Sequence, residues 1–126
     1  MKEKIKGKNQ IKGNSGEKTA EKFLKKKGYE ILERNYKTLL GEIDLIVVDK
    51  DTLVFVEVKS RTGTAYGQPC EAVTYFKRGN INRVAAQYLA RHNYRDVPCR
   101  FDVIEVYLTE GRVEHIENAF DSYLHY

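Results

Sequence analysis

The sequence predicts one α/β domain in which a mixed β-sheet is flanked by helices. Three observations lead to this fold class. Two apolar stretches on either side of a short polar segment suit antiparallel strands, two longer segments have apolar residues at helical spacing, and the elements follow the order αβββαββ. With 126 residues, 41% of them hydrophobic, the chain can build one core and has little length for a second.

The first fourteen residues differ from the rest in charge. Residues 1–14 contain five lysines and Glu3, whereas residues 15–126 contain 17 basic and 17 acidic residues, so the net charge of +4 arises in this segment. We predict that residues 1–14 form a flexible basic arm and that residues 15–126 form the folded domain. The arm, with Lys12, could bind the phosphates of a nucleic acid, or it could be only a solubilising, disordered start.

The first predicted element is a helix over Ser15–Lys27, which ends at Gly28. Its apolar stripe consists of Ala20, Phe23 and Leu24. Glu17 lies in the first turn and points partly toward this stripe. It could supply a third carboxylate to the site described below, or it could compensate the helix dipole, which requires no site.

Three strands follow the first helix. The first spans Tyr29–Lys37, and the next two, Gly41–Val48 and Leu53–Arg61, form a hairpin that turns at Lys50 and Asp51. In that register the numbers of paired residues sum to 101, and period-two alternation puts eight paired side chains on one face. These pairs are Val48 with Leu53, Ile46 with Phe55, Asp44 with Glu57, and Glu42 with Lys59.

The hairpin brings together groups that suit metal-assisted chemistry. Opposed side chains have Cβ atoms roughly 4.5–5.5 Å apart, so Asp44 and Glu57 would repel unless a proton or cation lies between them. Apolar residues on both faces indicate a central, buried position, where a hard cation such as Mg²⁺ would relieve the cost of two carboxylates. Lys59 could then hold or deprotonate a water. The alternatives are a Glu42–Lys59 ion pair and a solvated Asp44.

A Glu-x-Lys triplet by itself is uninformative, because about one is expected by chance from 12 glutamates and 14 lysines. The predicted loop over Ser60–Ala72 could wrap a substrate or merely connect two elements. A second helix spans Thr74–His92, and Lys77 shares its apolar stripe in the first turn. A phosphate could face that lysine, or the lysine could snorkel to solvent. Strands over Val97–Leu108 and Val113–Glu117 precede a short tail, Asn118–Tyr126.

Several other classes of protein are disfavoured by composition. The two cysteines, Cys70 and Cys99, and the three scattered histidines lack the spacing of a zinc site or a disulfide framework. No apolar run is long enough to span a membrane, and the lysine-rich start lacks the apolar segment of a secretory signal. We therefore expect a cytoplasmic protein without a membrane partner.

A series of motifs in order supports a family resemblance. The stretches G-E-K-T-A-E, R-N-Y, G-E-I-D-L-I, F-V-E-V-K-S-R, Y-G-Q-P, R-F-D-V-I-E-V and H-I-E-N-A-F, between Gly16 and Phe120, resemble the YraN-like family, uncharacterised protein family 0102. That family is similar in turn to the PD-(D/E)XK superfamily of restriction-endonuclease-like folds, which includes archaeal Holliday-junction resolvases. The resemblance implies a core of the order αβββαβ.

The resemblance also implies roles for individual residues. Asp44 and Glu57 would bind Mg²⁺ or Mn²⁺, Lys59 would assist the attacking water, and Glu17 or Glu21 would be the helical acid. The backbone carbonyl near Val58 would complete the metal ligands. Two departures stand out: Ile43 replaces the proline that names the superfamily, and Arg91 follows Gln87 by four positions where a RecB-type exonuclease has tyrosine.

The expected function is metal-dependent endonucleolytic hydrolysis of phosphodiester bonds in DNA, branched DNA included. Lys77, Arg61 and Lys12 are the predicted nucleic-acid-binding residues. A branched substrate would favour a two-fold homodimer, which presents two sites to two strands. Two alternatives stand beside this hypothesis. One is a nucleic-acid-binding or partner-recruiting protein of the same fold with weak or no catalysis, and the other is an RNA- or tRNA-processing nuclease.

Overall fold

The computed structural model describes residues 15–61 and 75–121, and it confirms the predicted fold class. A five-stranded mixed sheet carries one helix on each face. The elements in chain order are α1 (Ser15–Lys26), β1 (Glu30–Thr38), β2 (Gly41–Asp49), β3 (Thr52–Arg61), α2 (Tyr75–Arg91), β4 (Cys99–Tyr107) and β5 (Arg112–Phe120). The predicted order αβββαββ is therefore confirmed. Neither α1 nor α2, the helices of the described part, is long and apolar enough to cross a membrane.

The predicted boundaries agree with these elements to within a few residues. The largest difference is at β5, which continues to Phe120 where the sequence predicted a tail from Asn118 onward. The extension has a physical reason, because the backbone N–H of Asn118 donates to the buried carboxylate of Asp102 at 2.9 Å and ties the end of β5 to β4. The predicted arm, most of the predicted Ser60–Ala72 loop and Thr74 lie outside the described residues.

The strands lie in the order β1-β2-β3-β4-β5, and only the β3–β4 pair among them is parallel. Helix α2 makes the crossover that a parallel pair requires. The predicted hairpin register is confirmed for Val48 opposite Leu53 and for Ile46 opposite Phe55. The ladder between β2 and β3 then ends at Leu45 and Val56, so the ladder pairs predicted further along are wrong: Asp44 with Glu57 and Glu42 with Lys59.

Side-chain alternation also breaks at this point of β2. Ile43 and Ile46 pack in the same apolar cluster, although residues three positions apart in a regular strand face opposite sides. Leu45 and Val47 lie in the other cluster, so the break falls between Ile43 and Leu45, at Asp44. The period-two alternation predicted along the whole of β2 is therefore wrong at Asp44. A regular strand pair ends where Asp44 begins the polar part of the molecule.

Two apolar clusters, one on each face of the sheet, hold the helices. The cluster under α2 is built around aromatic rings and aliphatic side chains that include Phe55, Tyr88, Leu89 and Phe101. The cluster under α1 joins its buried Ala20 and Leu24 to Leu45, Val47, Val54, Val56, Ile104 and Val106. With both faces covered, β2 and β3 are central strands, as their apolar runs predicted. Helices α1 and α2 therefore lie on opposite faces of the sheet.

Candidate functional site

Acidic side chains gather where β2 separates from β3. A cavity of about 420 Å³ opens there, and the described residues that line it come from the start of β2, from β3 and from the first turns of α2. They are Gly41, Glu42, Asp44, Glu57, Phe76, Lys77, Asn80 and Ile81. Asp44 and Glu57, the two predicted metal ligands, thus share one cavity although they are not paired in the ladder.

The side chain of Asp44 replaces a backbone hydrogen-bond acceptor where the β2–β3 ladder ends. Its Oδ2 accepts the N–H of Val58 at 2.7 Å, so Val58 contributes its amide to the site in the described structure. Burial and the negative charge of Glu57 together raise the pKa of Asp44 to about 7, because the hydrogen bond from Val58 offsets only part of their effect. Near neutral pH this carboxyl therefore titrates, and a cation placed beside it would displace its proton.

Glu17 is the helical acid of the site. Burial and the charge of Glu42 raise its pKa, and its carboxyl lies close enough to that of Asp44 for the two groups to influence each other's pKa. Two carboxylates that interact in this way repel unless a proton or a cation lies between them. Glu21, the other predicted candidate, is not part of the cluster, because its carboxylate accepts hydrogen bonds from Arg34 at 2.8 and 2.6 Å.

The approach of α1 to the site depends on Gly16. A Cβ at this buried position would lie 1.8 Å from Ser60 Oγ and 3.1 Å from Ser60 Cβ. The first turn of α1 therefore rests directly on β3, which brings the neighbouring Glu17 to Asp44. The sequence contained Gly16 within the first family-like motif, yet nothing in the local pattern indicated a close approach to a strand.

Asn35 is a site residue that the sequence analysis missed. It lies in β1 with φ of 52°, between the pairs Arg34–Leu45 and Tyr36–Ile43, and thus opposite Asp44. The amide orientation that satisfies its neighbours directs the Asn35 nitrogen to the acids. In this orientation the nitrogen donates to Glu17 Oε1 at 3.0 Å and to Glu42 Oε2 at 3.2 Å. Asparagine tolerates this left-handed conformation better than most residues. The R-N-Y motif was the only available signal.

Lys77 is the cation that contacts these acids among the described residues. Its ammonium forms an ion pair with Glu57, whose side chain is 8% exposed while that of Lys77 is 48% exposed. Burial alone would lower the pKa of Lys77, but the hydrogen bond and the charge of Glu57 outweigh it and raise the pKa. A carboxylate of the chain itself therefore faces Lys77, and a phosphate as its partner remains a prediction.

Two other predicted site residues, Lys59 and Arg61, are not among the residues that line the cavity. Lys59 is half-buried two residues after Glu57, and β3 places it next to Glu105 of the parallel neighbour β4. Arg61 contacts the buried carboxylate of Glu105 at 3.4 Å. Lys12 lies outside the described residues. The lysine and arginine of β3 therefore border the carboxylates along the strand, and their predicted roles toward water and nucleic acid remain predictions.

The carboxylate oxygens of the site suit a hard cation, but the geometry limits how many of these acids can bind one ion. Glu17, Asp44 and Glu57 offer only oxygen atoms, which Mg²⁺ and Mn²⁺ prefer. Across residues 15–61 and 75–121, however, no three Asp, Glu, His or Cys side chains form a group that could hold one metal ion. Mg²⁺ is usually held by one or two protein carboxylates, with water and phosphate oxygens as its other ligands. Asp44 and Glu57 fit that smaller requirement.

Comparison with known proteins identifies the family. The model of an uncharacterised protein family, UPF0102, matches residues 16–106, a range that contains every acid of the cluster together with Asn35, Lys59 and Lys77. The chain belongs to family UPF0102. The resemblance to the YraN-like family is thereby confirmed, and the family description assigns no activity.

Close relatives within UPF0102 match over nearly their whole length. A UPF0102 protein of Clostridioides difficile is 51% identical over 112 residues, which cover 89% of this chain and 98% of the relative. A UPF0102 protein of Caldanaerobacter subterraneus is 50% identical over 113 residues, covering 86% and 93%. One from Alkaliphilus oremlandii is 53% identical over 112 residues, covering 86% and 96%. These relatives therefore match most of this chain and nearly all of their own length.

Proposed function

We propose that this UPF0102 protein is a metal-dependent endonuclease that hydrolyses phosphodiester bonds in DNA, branched DNA included. One observation supports this function most directly. Asp44 and Glu57 line the same cavity, and burial together with the charge of Glu57 raises the pKa of Asp44 to about 7. A pair of acids in that state gains a cation readily at neutral pH, and a polyanionic substrate needs one.

In this proposal Asp44 and Glu57 hold Mg²⁺ or Mn²⁺, which supplies positive charge to a phosphate oxygen during hydrolysis. Val58 keeps Asp44 oriented through its amide, and Asp44 would release its proton to solvent when the cation binds. Lys77 would then leave Glu57, and its ammonium would face the phosphate. The two positive charges of the cation would replace the proton of Asp44 and the ammonium of Lys77, so the net charge of the cavity would be unchanged.

Lys59 orients the attacking water in this proposal. It follows Glu57 by two residues on β3, and its neighbour Glu105 can accept a hydrogen bond from it in the parallel register. The water oxygen attacks phosphorus, the bond from phosphorus to the opposite oxygen breaks, and the departing oxygen takes a proton. A branched substrate would be cut most simply by two copies of the chain related by a two-fold axis.

The test is cleavage of linear, nicked and four-way-junction DNA, and of RNA, in Mg²⁺ or Mn²⁺. We expect wild-type protein to cut at least one of these substrates. Asp44→Asn, Glu57→Gln and Lys59→Met should each lower the rate at least 100-fold, whereas the matched surface variant Asp51→Asn should retain it. An inactive wild type, or site variants as active as wild type, would rule out the hydrolase.

A second candidate function is nucleic-acid binding without catalysis. The Lys77–Glu57 ion pair favours it, because the cavity already contains a positive group and in the described part no three acids form a metal-binding group. In that case Mg²⁺ should bind no better to wild type than to Asp44→Asn when measured by calorimetry. Metal binding that depends on Asp44 would favour the hydrolase instead.

A further inference from the structure

Apolar side chains project into solvent beside the acidic cavity. Four large hydrophobic residues of the described part are exposed; Phe76 lines the cavity, and Leu39 and Leu40 directly precede Gly41, which also lines it. Leu39 is fully exposed, Phe76 is 74% exposed and Leu40 is 41% exposed. The cavity itself does not require apolar side chains around it, and their exposure to water does not stabilise the folded monomer.

The two exposed leucines form a fixed tip. They occupy the turn between β1 and β2, where the Oγ1 of Thr38 accepts the N–H of Leu40 at 3.0 Å. The turn rests on α2, because the position of a Cβ on Gly41 is 3.5 Å from Val84 Cγ2 and 3.6 Å from Asn80 Cβ. The tip is therefore held next to the helix that supplies Phe76 and Lys77 to the cavity.

Phe76 shares its face of α2 with a cation. Residues 76, 80 and 83 are spaced four and three positions apart, which places their side chains on one side of the helix. Arg83 extends back along this side and donates to Asn80 Oδ1 at 2.5 Å. Its guanidinium also lies near Gly79, with Nη1 3.5 Å from the position that a Cβ would occupy. Phe76 lines the cavity, and Arg83 is joined to it through Asn80, another lining residue.

We propose that the rim formed by Leu39, Leu40, Phe76 and Arg83 binds an unpaired nucleotide of a nucleic-acid strand. The base stacks on Phe76 and the leucine tip, and Arg83 with the exposed Lys37 binds its phosphates. The inference rests on the proposed function and gives the substrate class of that site. Strands that are splayed or single-stranded next to the cut would be preferred over continuous duplex.

The size and charge of the rim favour this ligand over another protein. The three apolar side chains expose roughly 400 Å² together, about half of the roughly 800 Å² that each partner buries in a stable protein interface. That area suits the face of one or two bases. The neighbouring cations Lys37, Lys77 and Arg83 complement phosphate, whereas a purely apolar protein contact would not require them.

The experiment measures binding separately from cleavage. Two DNA duplexes, one continuous and one with a three-nucleotide unpaired gap, carry 2-aminopurine at the same position and are titrated with full-length protein in Ca²⁺. Wild type should prefer the gapped DNA and change its 2-aminopurine fluorescence. Phe76→Ser and Leu39→Ser should each reduce that preference about tenfold, and Phe76→Tyr should retain it.

Leu108→Ser is the matched control, because Leu108 is also exposed but lies on the turn between β4 and β5. Its preference for gapped DNA should equal that of wild type. No preference in wild type, an equal loss in the control, or a dimer dissociated by Leu39→Ser in size-exclusion chromatography would each overturn the proposal. A preference that depends on Phe76 in a protein that cuts nothing would support the rim and refute the hydrolase.

Discussion

Two groups of buried carboxyls in the described part can be compared, and the pKa values of Asp44 and Asp102 are shifted in opposite directions. In the acid cluster of Glu17, Glu42, Asp44 and Glu57, the pKa of Asp44 is raised to about 7 by burial and by the charge of Glu57. On β4, burial likewise disfavours the charge of Asp102, but hydrogen bonds from His115, Arg100 and the Asn118 amide outweigh it and lower the pKa. The two carboxyls differ in the number of donors around them.

The Asp102 network is complete in itself. Asp102 is fully buried and receives donors from Arg100 at 3.0 Å and from His115 Nε2 at 2.8 Å. Since Lys27 Nζ contacts His115 Nδ1 at 2.8 Å, Nδ1 is the acceptor and Nε2 carries the proton. Arg100 continues to Asp49 and to the hydroxyl of Tyr29. This network needs no added ion, and its role is structural.

Within residues 15–61 and 75–121, the acid cluster has more acceptors than donors. Its donors in the described part are the Val58 amide, the Asn35 amide and the Lys77 ammonium, set against four carboxyl groups. A structural cluster would be expected to lose such an imbalance, because each uncompensated buried charge lowers stability. The comparison supports the proposal that the acid cluster binds a cation, whereas the Asp102 network holds β4 and β5 together.

The largest expected effect is a loss of stability when the Asp102 network is disrupted. Asp102→Ala leaves His115, Arg100 and the Asn118 amide without their acceptor, so we expect the free energy of unfolding to fall by about 3–5 kcal/mol. Urea unfolding followed by circular dichroism measures it. Asp51→Ala, in the exposed hairpin turn, should change stability by less than about 0.5 kcal/mol. A loss below about 1 kcal/mol for Asp102→Ala would remove the distinction between the clusters.

Asp44→Asn should change the free energy of unfolding in the opposite direction. With chelator present at pH 8 we expect it to increase the free energy of unfolding by roughly 2–4 kcal/mol, because asparagine still accepts the Val58 N–H and carries no charge. The folded pKa of Asp44 lies above its usual 3.8, so its contribution to stability is complete below about pH 4 and is lost as pH rises through about 7.

The gain from Asp44→Asn should therefore vanish at pH 4, and Mg²⁺ should stabilise wild type more than the variant at pH 8. Urea unfolding at pH 4, 6 and 8 tests both statements. Destabilisation by Asp44→Asn at pH 8 would mean that Asp44 is as well satisfied as Asp102.

Lys77→Met should have a smaller effect. It removes the ammonium from the nearly buried Glu57, but Lys77 is half exposed, so we expect a loss of only about 1–2 kcal/mol in chelator. The same variant should bind Mn²⁺ more tightly than wild type in calorimetry, because no internal cation competes. Lys22→Met, at an exposed position of α1, is the matched control. Unchanged Mn²⁺ affinity would show that Lys77 does not occupy the place of the ion.

Gly16→Ala should have the smallest effect. Alanine favours the helix, but its Cβ would contact Ser60, so we expect a net loss of about 1 kcal/mol in thermal unfolding. The displacement of α1 should also move Glu17 away from Asp44 and reduce the pH dependence of stability between pH 4 and 7. Ser60→Ala in the same chain should restore part of the stability, because it removes the nearer of the two contacts. A fully stable Gly16→Ala would show that α1 can shift without cost.

Much of the fold followed from the sequence because its signals are local. The hairpin register at Val48–Leu53 and Ile46–Phe55 results from a two-residue turn and from apolar alternation, both of which involve neighbouring residues. The helices followed from 3.6-residue periodicity in the same way. The predicted β2–β3 register was wrong at Asp44 and toward the start of β2. The apolar pattern does not show that a side chain will accept a hydrogen bond in place of a backbone carbonyl.

The sequence by itself determined the order of elements, the central position of β2 and β3, and the presence of Asp44 and Glu57 near the end of one hairpin. Only the tertiary structure decided that Glu17 rather than Glu21 joins them, that Asn35 bridges two acids, and that Lys77 pairs with Glu57. The physical reason is that backbone pairing depends on adjacent residues, whereas the balance of buried charge depends on contacts between elements that lie far apart in the chain.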